Sequence, residues 1–203
     1  YKTFSYYTFG CKVNFADSSF ISRELINKGF SQIPINSNAD ICLINTCSVT
    51  ENADRKANKL IKDLYKQFPK TKIIVYGCYA QLKPIEISKL KGVALVVGAK
   101  DKFKISDIIE NDDFSENLNV SKIKEVTNFD ISYSLNERTR AFIKIQDGCN
   151  YTCSYCTIPN ARGKSRSFNI ENTIEKIQNI VDHGSKEIIL RGINIGDFGL
   201  SYN

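Results

Sequence analysis

Histidine is nearly missing from this chain: His183 is the single one among 203 residues. Structural zinc sites of the mixed Cys/His type draw on imidazole, so that chemistry is starved of ligands here. No apolar run reaches the roughly 18 residues of a membrane-spanning helix, so no membrane helix is indicated. The opening residues, Tyr1-Lys2-Thr3-Phe4-Ser5, hold no charged stretch followed by an apolar core, and no secretory signal is expected. Methionine is absent altogether. With Tyr1 in front, the native start is expected upstream; the lack of internal methionine has no physical account. Convincing internal repeats and low-complexity segments are also missing.

What the chain has in quantity is cysteine. Seven residues, Cys11, Cys42, Cys47, Cys78, Cys149, Cys153 and Cys156, are many for core filling in a chain expected to be cytoplasmic. The odd number argues against a complete disulfide framework. Clustered thiolates without histidine point to iron–sulfur ligation. Lys and Arg number 28 against 22 Asp and Glu, a net charge of +6. That suits a polyanionic partner without demonstrating one. Apolar residues at 42% and charged residues at 25% are ordinary for a globular chain.

Residues 1–111 read as alternating strands and helices. Strands are predicted at Phe4–Phe9, Ile41–Thr46, Ile73–Gly77 and Val93–Val97. A helix from Asn14 carries Ile21 and Leu25 on one face and stops at Lys28-Gly29. An amphipathic helix repeats Ala53, Ala57, Leu60, Ile61, Leu64 and Phe68 at helical spacing. Shorter helices are expected at Pro84–Leu90 and Phe103–Ile109. This alternation implies an α/β domain with a mostly parallel sheet covered on both faces. Residues 112–138 are polar and aperiodic, which predicts a linker with at most one weak strand. A second β/α pattern fills 139–203: a strand at Ala141–Ile145, a long loop at Asp147–Arg166, a helix with Ile170, Ile174, Ile177 and Val181 on its apolar face, and a strand at Glu187–Leu190. Asn169 and Gly184 cap that helix. These 65 or so residues form one βαβ unit, too little to close a barrel of about 250 residues.

The long loop holds Cys149-Asn-Tyr-Thr-Cys153-Ser-Tyr-Cys156. Three thiolates this close can wrap one face of a [4Fe–4S] cube and leave one iron open, whereas ferredoxin-type clusters take four cysteines. A zinc knuckle with a distant fourth ligand is the competing reading, although no second cysteine pair completes it. The other cysteines are dispersed. Cys11, Cys47 and Cys78 each follow a predicted strand, and parallel sheets present their strand ends at one ligand-binding edge. Three thiols there can meet on a second cluster; three unrelated core cysteines are the alternative. Ser48-Val49-Thr50-Glu51 reads as a capping box, putting a helix N-terminus directly after Cys47. Cys42 lies within a strand and reads as a buried apolar thiol.

The cysteine loop, placed after the first strand of a β/α unit, resembles the radical S-adenosylmethionine (SAM) motif. The likeness widens to the methylthiotransferase family through Thr8-Phe-Gly-Cys11-Lys-Val-Asn14, Asn45-Thr-Cys47-Ser-Val-Thr50, Gly77-Cys78-Tyr-Ala-Gln81, Lys144-Ile-Gln-Asp-Gly148 and Cys156-Thr-Ile-Pro-Asn-Ala-Arg-Gly163. The resemblance implies an N-terminal domain with an auxiliary [4Fe–4S] cluster on Cys11, Cys47 and Cys78. It implies a catalytic [4Fe–4S] cluster on Cys149, Cys153 and Cys156, in the first βαβ unit of a partial TIM-type barrel. One SAM would supply the methyl group, placed on sulfur at the auxiliary cluster. Another would supply the 5′-deoxyadenosyl radical that takes hydrogen from an adenine ring carbon, which then receives the methylthio group. Tyr155 would lie near the adenine of SAM, and backbone groups around Gly192 and Asn194 near its amino end. Taken alone, Tyr155 could equally be a packed aromatic.

Gly10-Cys11-Lys12-Val13-Asn14 resembles the branch acting on N6-threonylcarbamoyladenosine next to the tRNA anticodon. The branches acting on isopentenyladenosine or on a ribosomal protein carry other residues after that cysteine. The implied partners are the tRNA anticodon stem-loop and an electron-donor protein. The rest of the barrel and the small RNA-binding domain of the family fall outside these residues, so low activity and poor stability are expected of the piece alone. Other expectations are softer. Arg162, Lys164 and Arg166 could meet phosphate oxygens or simply be a solvated basic stretch. Lys12 could balance cluster charge. Arg55, Lys56, Lys59 and Lys62 read as a wet helix face, and His183 as a helix C-terminal cap. Two readings compete: another radical SAM enzyme with an auxiliary cluster, and a non-catalytic iron–sulfur protein that binds RNA.

Overall fold

The structure, a computed structural model, describes residues 3–48, 50–135 and 139–200. The first unit runs β1 (Thr3–Thr8), α1 (Lys12–Asn27), β2 (Ser31–Gln32), β3 (Ile41–Thr46), α2 (Glu51–Gln67), β4 (Lys72–Gly77), α3 (Cys78–Leu82), α4 (Pro84–Ser88), β5 (Val93–Val97), α5 (Ile105–Glu110) and β6 (Leu118–Asn119). Six parallel strands lie in the order β2-β1-β3-β4-β5-β6. In β3 every residue is buried, and the period of two splits them between layers. Ile41 and Leu43 join Ile21 and Leu25 of α1 in one core, while Cys42 and Ile44 join Ala57, Ile61 and Leu64 of α2 in the other. Each of the isoleucine and leucine side chains among them, withdrawn from water, contributes about 1.5–3 kcal/mol.

Helix ends differ from expectation in instructive ways. Thr50, in extended backbone, caps α2 by accepting a hydrogen bond from Ala53 N at 3.2 Å. The cap is thus Thr50 and not Ser48, and α2 starts four residues after Cys47; Val49 of the predicted capping box lies outside the described residues. Cys11 instead sits at a helix N-terminus, as the N-cap of α1. The predicted helix at Phe103–Ile109 divides into a 3-10 turn, Lys102–Lys104, and α5.

Residues 112–135 serve both the six-stranded and the three-stranded sheet. Leu118–Asn119 is the edge strand β6, and β7 (Ser132–Tyr133) pairs antiparallel with β8 (Ala141–Lys144); residues 136–138 lie outside the described residues. The second unit continues with β9 (Gln146–Asp147), α6 (Ile158–Arg162), β10 (Arg166–Ser167), α7 (Ile170–Asp182) and β11 (Ile188–Arg191), where β8 and β11 are parallel. Asn169 caps α7, accepting from Asn172 N at 2.7 Å. At the other end of α7, His183 Nδ1 lies 2.7 Å from Asn179 O, the terminal position expected of it. The predicted apolar face of α7 is mostly uncovered: Ile170, Ile174 and Val181 are exposed and Ile180 is buried. Periodicity correctly groups those residues, but the sheet beneath has only the three strands β11-β8-β7 and reaches Ile177 and Ile180 alone.

The two units meet through α1, which is sandwiched between the six-stranded sheet and the strands β7 and β8. Its Ile21 and Leu25 face the first sheet, whereas Phe15 meets Phe142 of β8 edge-on at 6.1 Å. Its polar residues Asn14, Asp17, Ser18, Ser19 and Ser22 are buried as well.

Candidate metal centre

Cys11, Cys47 and Cys78 stand at the carboxyl ends of β1, β3 and β4, three neighbouring strands. Two glycines let those ends close up. A Cβ on Gly10 would lie 2.8 Å from Cys47 Cβ and 3.1 Å from its Sγ, and one on Gly77 would strike Thr46 O at 2.4 Å. Both glycines have φ of +99°, a conformation that side chains resist. Asn14 stitches the ends together, its Nδ2 donating to Phe9 O at 3.0 Å and Thr46 O at 3.2 Å, next to Cys11 and Cys47. Its Oδ1 lies 4.0 Å from Cys11 Sγ. Cys11 is exposed, Cys47 half-buried and Cys78 buried. The helix dipole expected at Cys47 acts at Cys11 instead, with the positive end of the 16-residue α1 behind it.

The second triad is carried by the loop whose stem is the antiparallel pair β9–β10. Cys149 N donates to Gly163 O at 3.0 Å, and Cys156 N to Cys153 O at 3.0 Å. A Cβ on Gly148 would collide with Lys164 O at 2.0 Å, so glycine is what lets the loop cross itself. Tyr155 is 88% exposed among the described residues. Gln146 holds the segment after β11: its Oε1 accepts from Asn194 N at 2.9 Å, and a Cβ on Gly192 would meet that same oxygen at 2.7 Å. The cysteine loop and the Gly192–Asn194 segment therefore share one anchor, since Gln146 Nε2 also donates to Gly148 O at 2.8 Å.

Between the triads lies a buried ionic network that sequence reasoning missed. Asp17 accepts from Lys102 at 2.6 Å, Lys144 at 2.9 Å and Ser132 at 2.6 Å. Asp147 lies 2.9 Å from Arg162, 3.5 Å from Lys144 and 3.7 Å from Lys102. Arg162 also donates to Asn14 Oδ1. Burial alone would push the Asp17 carboxyl up, but Lys102, Lys144 and Arg162 together hold it at about 2. Asp147 shows the same contest, burial against Arg162, Lys144 and Lys102, and ends well below the usual carboxylate range. Arg162 is only 5% exposed, so neither the phosphate contact nor the solvated stretch describes it. Arg166 is turned inward as well, onto the carbonyls of Arg162, Lys164 and Val126, so of the three basic residues Lys164 alone stays exposed. Lys12 lies over the Phe142 ring at 5.2 Å. Arg55, Lys56, Lys59 and Lys62 are exposed as a wet face should be.

Among the described residues no three side chains close on the dimensions of a single metal ion. The donor set nevertheless fits a thiolate-held anionic group. Cys78 lines a narrow cavity together with Lys102, Lys144, Arg162 and Arg166. The Nε atoms of Arg162 and Arg166, two residues that line it, are buried without a hydrogen-bond partner. Cys42 stands apart, in the apolar core, where burial raises its thiol to about 11 despite a hydrogen bond to Ser5. In iron-free protein, iodoacetamide at pH 8 should therefore label the exposed Cys11 and Cys153 and spare Cys42, as read by peptide mass spectrometry.

Residues 3–98 match the family described as "Uncharacterized protein family UPF0004". The chain is 38% identical over 202 residues to "Threonylcarbamoyladenosine tRNA methylthiotransferase MtaB" of Bacillus subtilis, covering 97% of this chain and 45% of that protein. It is 36% identical to the protein of the same name from Aquifex aeolicus, covering 95% of this chain and 48% of the other. To "tRNA-2-methylthio-N(6)-dimethylallyladenosine synthase" of Thermodesulfovibrio yellowstonii it is 34% identical, covering 94% and 45%. The chain thus spans about half the length of the curated relatives it matches. Both triads, their glycines and the residues that hold them fall inside the stretch matched to these relatives, and along nearly its whole length the chain is similar to methylthiotransferases, those named MtaB among them.

Proposed function

We propose that this chain is the first half of a radical SAM enzyme that adds a methylthio group to N6-threonylcarbamoyladenosine beside the tRNA anticodon. The observation that carries the reading is the pair of three-thiol groups on either side of one buried interface, each short of the fourth ligand that closes a ferredoxin-type cluster. Cys149, Cys153 and Cys156 would hold the catalytic [4Fe–4S] cluster, and Cys11, Cys47 and Cys78 the auxiliary one. When bound, the clusters and SAM supply the one-electron chemistry, the sulfur and the methyl group.

The chain's own residues then do four things. The thiolates hold the clusters. Asn14 fixes the strand ends that carry Cys11 and Cys47. Gln146 fixes both the cysteine loop and the Gly192–Asn194 backbone expected to meet SAM. Tyr155, fully presented on the loop, is free to stack on an adenine ring. Exposed Lys164 and the net charge of +6 support an RNA partner. An electron-donor protein and a cytoplasmic setting belong to the same reading. The relative named for dimethylallyladenosine supports a second substrate, and the product decides between them.

The test uses the full-length protein purified without oxygen. About eight irons per chain, falling to about four in Cys11→Ala/Cys47→Ala/Cys78→Ala, are expected for two cube-type clusters. Nucleoside analysis of tRNA incubated with SAM and reductant should show methylthiolated threonylcarbamoyladenosine for the wild type only. About four irons in both proteins would end the two-cluster reading. Methylthiolated isopentenyladenosine would move the substrate to the other branch.

A further inference from the structure

The network between the two triads is short of negative charge. Asp17 and Asp147 face Lys102, Lys144 and Arg162, all buried, which leaves one positive charge over. Arg166, largely buried and bonded only to carbonyls, adds a second at the same cavity. Asp130 also lines that cavity, from an exposed position. Uncompensated charge away from water is costly, and an anionic neighbour is the usual remedy. Burial pulls the Lys144 ammonium below its ordinary value, and Lys102 adds to the pull.

The side of the network facing the sheet ends is where that neighbour would sit. Arg162 and Cys78 line one cavity, and α6 packs on α3, whose first residue is Cys78. Through Asn14 Oδ1, Arg162 is one side chain away from Cys11 Sγ.

We propose that Arg162, carried on the catalytic-cluster loop, is a positioning residue for the auxiliary cluster: it orients Asn14 at the strand ends and supplies the positive charge that favours the reduced state of the cluster on Cys11, Cys47 and Cys78. The inference rests on the two-cluster reading. Reduction adds negative charge, and cluster potentials follow local charge and hydrogen bonding. Removing the guanidinium therefore lowers the midpoint potential, whereas lysine, keeping the charge, restores most of it.

The experiment takes the full-length protein with Cys149, Cys153 and Cys156 all changed to alanine, so that only the auxiliary cluster can load. Iron content and an anaerobic redox titration followed by electron paramagnetic resonance are measured with Arg162, Arg162→Gln and Arg162→Lys. About four irons throughout are expected. The reduction equilibrium should shift at least tenfold against the reduced form in Arg162→Gln, which is about 59 mV for one electron, and much less in Arg162→Lys. If Arg162→Gln does not fold, Arg166→Gln, nearer the surface of the same cavity, should shift the equilibrium the same way by less. Equal potentials in loaded proteins would overturn the role of Arg162 and leave the two clusters standing. No iron in the parent protein would overturn both.

Discussion

Replacing Asp17 with alanine is expected to cost the folded chain about 3–5 kcal/mol, a large share of the roughly 5–15 kcal/mol that holds a domain folded. The substitution takes from Lys102 and Lys144 the carboxylate they reach at 2.6 and 2.9 Å and leaves these nearly inaccessible ammonium groups only the longer contacts to Asp147, at 3.7 and 3.5 Å. It also leaves the buried Ser132 hydroxyl without its acceptor. Urea denaturation measures the loss directly. Asp107→Ala is the control: its ion pair with Lys28 is 60% exposed on the aspartate side, and its loss should leave the urea midpoint nearly unchanged. The same network sets an acid limit. Asp17 titrates at about 2 in the folded chain against 3.8 ordinarily, so its contribution is complete above pH 3.8 and is lost as pH falls through about 2. Asp147, held well below its ordinary value, extends the loss in the same direction. A melting temperature that stays level down to pH 2 would contradict this.

Gly148→Ala and Gly77→Ala should each empty one cluster site and spare the other. A Cβ at position 148 would lie 2.0 Å from Lys164 O and one at position 77 would lie 2.4 Å from Thr46 O. Both obstacles are backbone atoms, so neither can turn aside. Both positions also have positive φ, which costs a side chain about 1–3 kcal/mol before any clash. Relief of the first clash spreads the loop stem that carries Cys149; relief of the second parts Cys78 from the end of β3. Iron per full-length chain should fall by about half in each variant, to about four. Loss of SAM cleavage is expected for Gly148→Ala. Gly77→Ala should still cleave SAM but form no methylthiolated nucleoside. Unchanged iron in both would mean the glycines serve packing alone.

The strands were the legible part of the fold. Ile41–Thr46 and Val93–Val97 are runs buried on both sides, and such runs leave little choice of bounds. The cysteines at the strand ends could be placed for the same reason. Helix faces were less legible, because spacing says which residues stand together but not what covers them. In α7 the apolar face is largely open; in α1 the polar face is buried under a second sheet. Nothing in the spacing therefore singles out Asp17 or Lys102, and Arg162 read as a phosphate contact or a solvated residue, although with Asn14 they are the joint between the two triads. One signal was present. Lys144 sits within Ala-Phe-Ile-Lys-Ile, a strand pattern without polar alternation, and a lysine there must find a buried carboxylate.

The span of the Asp17–Lys144 contact also governs how the chain comes into being. The two residues are 127 positions apart. At a synthesis rate of about 5–20 residues per second, Asp17 waits on the order of ten seconds for its partner to leave the ribosome. During that interval α1 can dock its apolar side on the nascent sheet, but its polar side stays wet. The six-stranded unit therefore matures twice: first as a hydrophobic assembly, and again when β8 arrives and the charges are sealed from water.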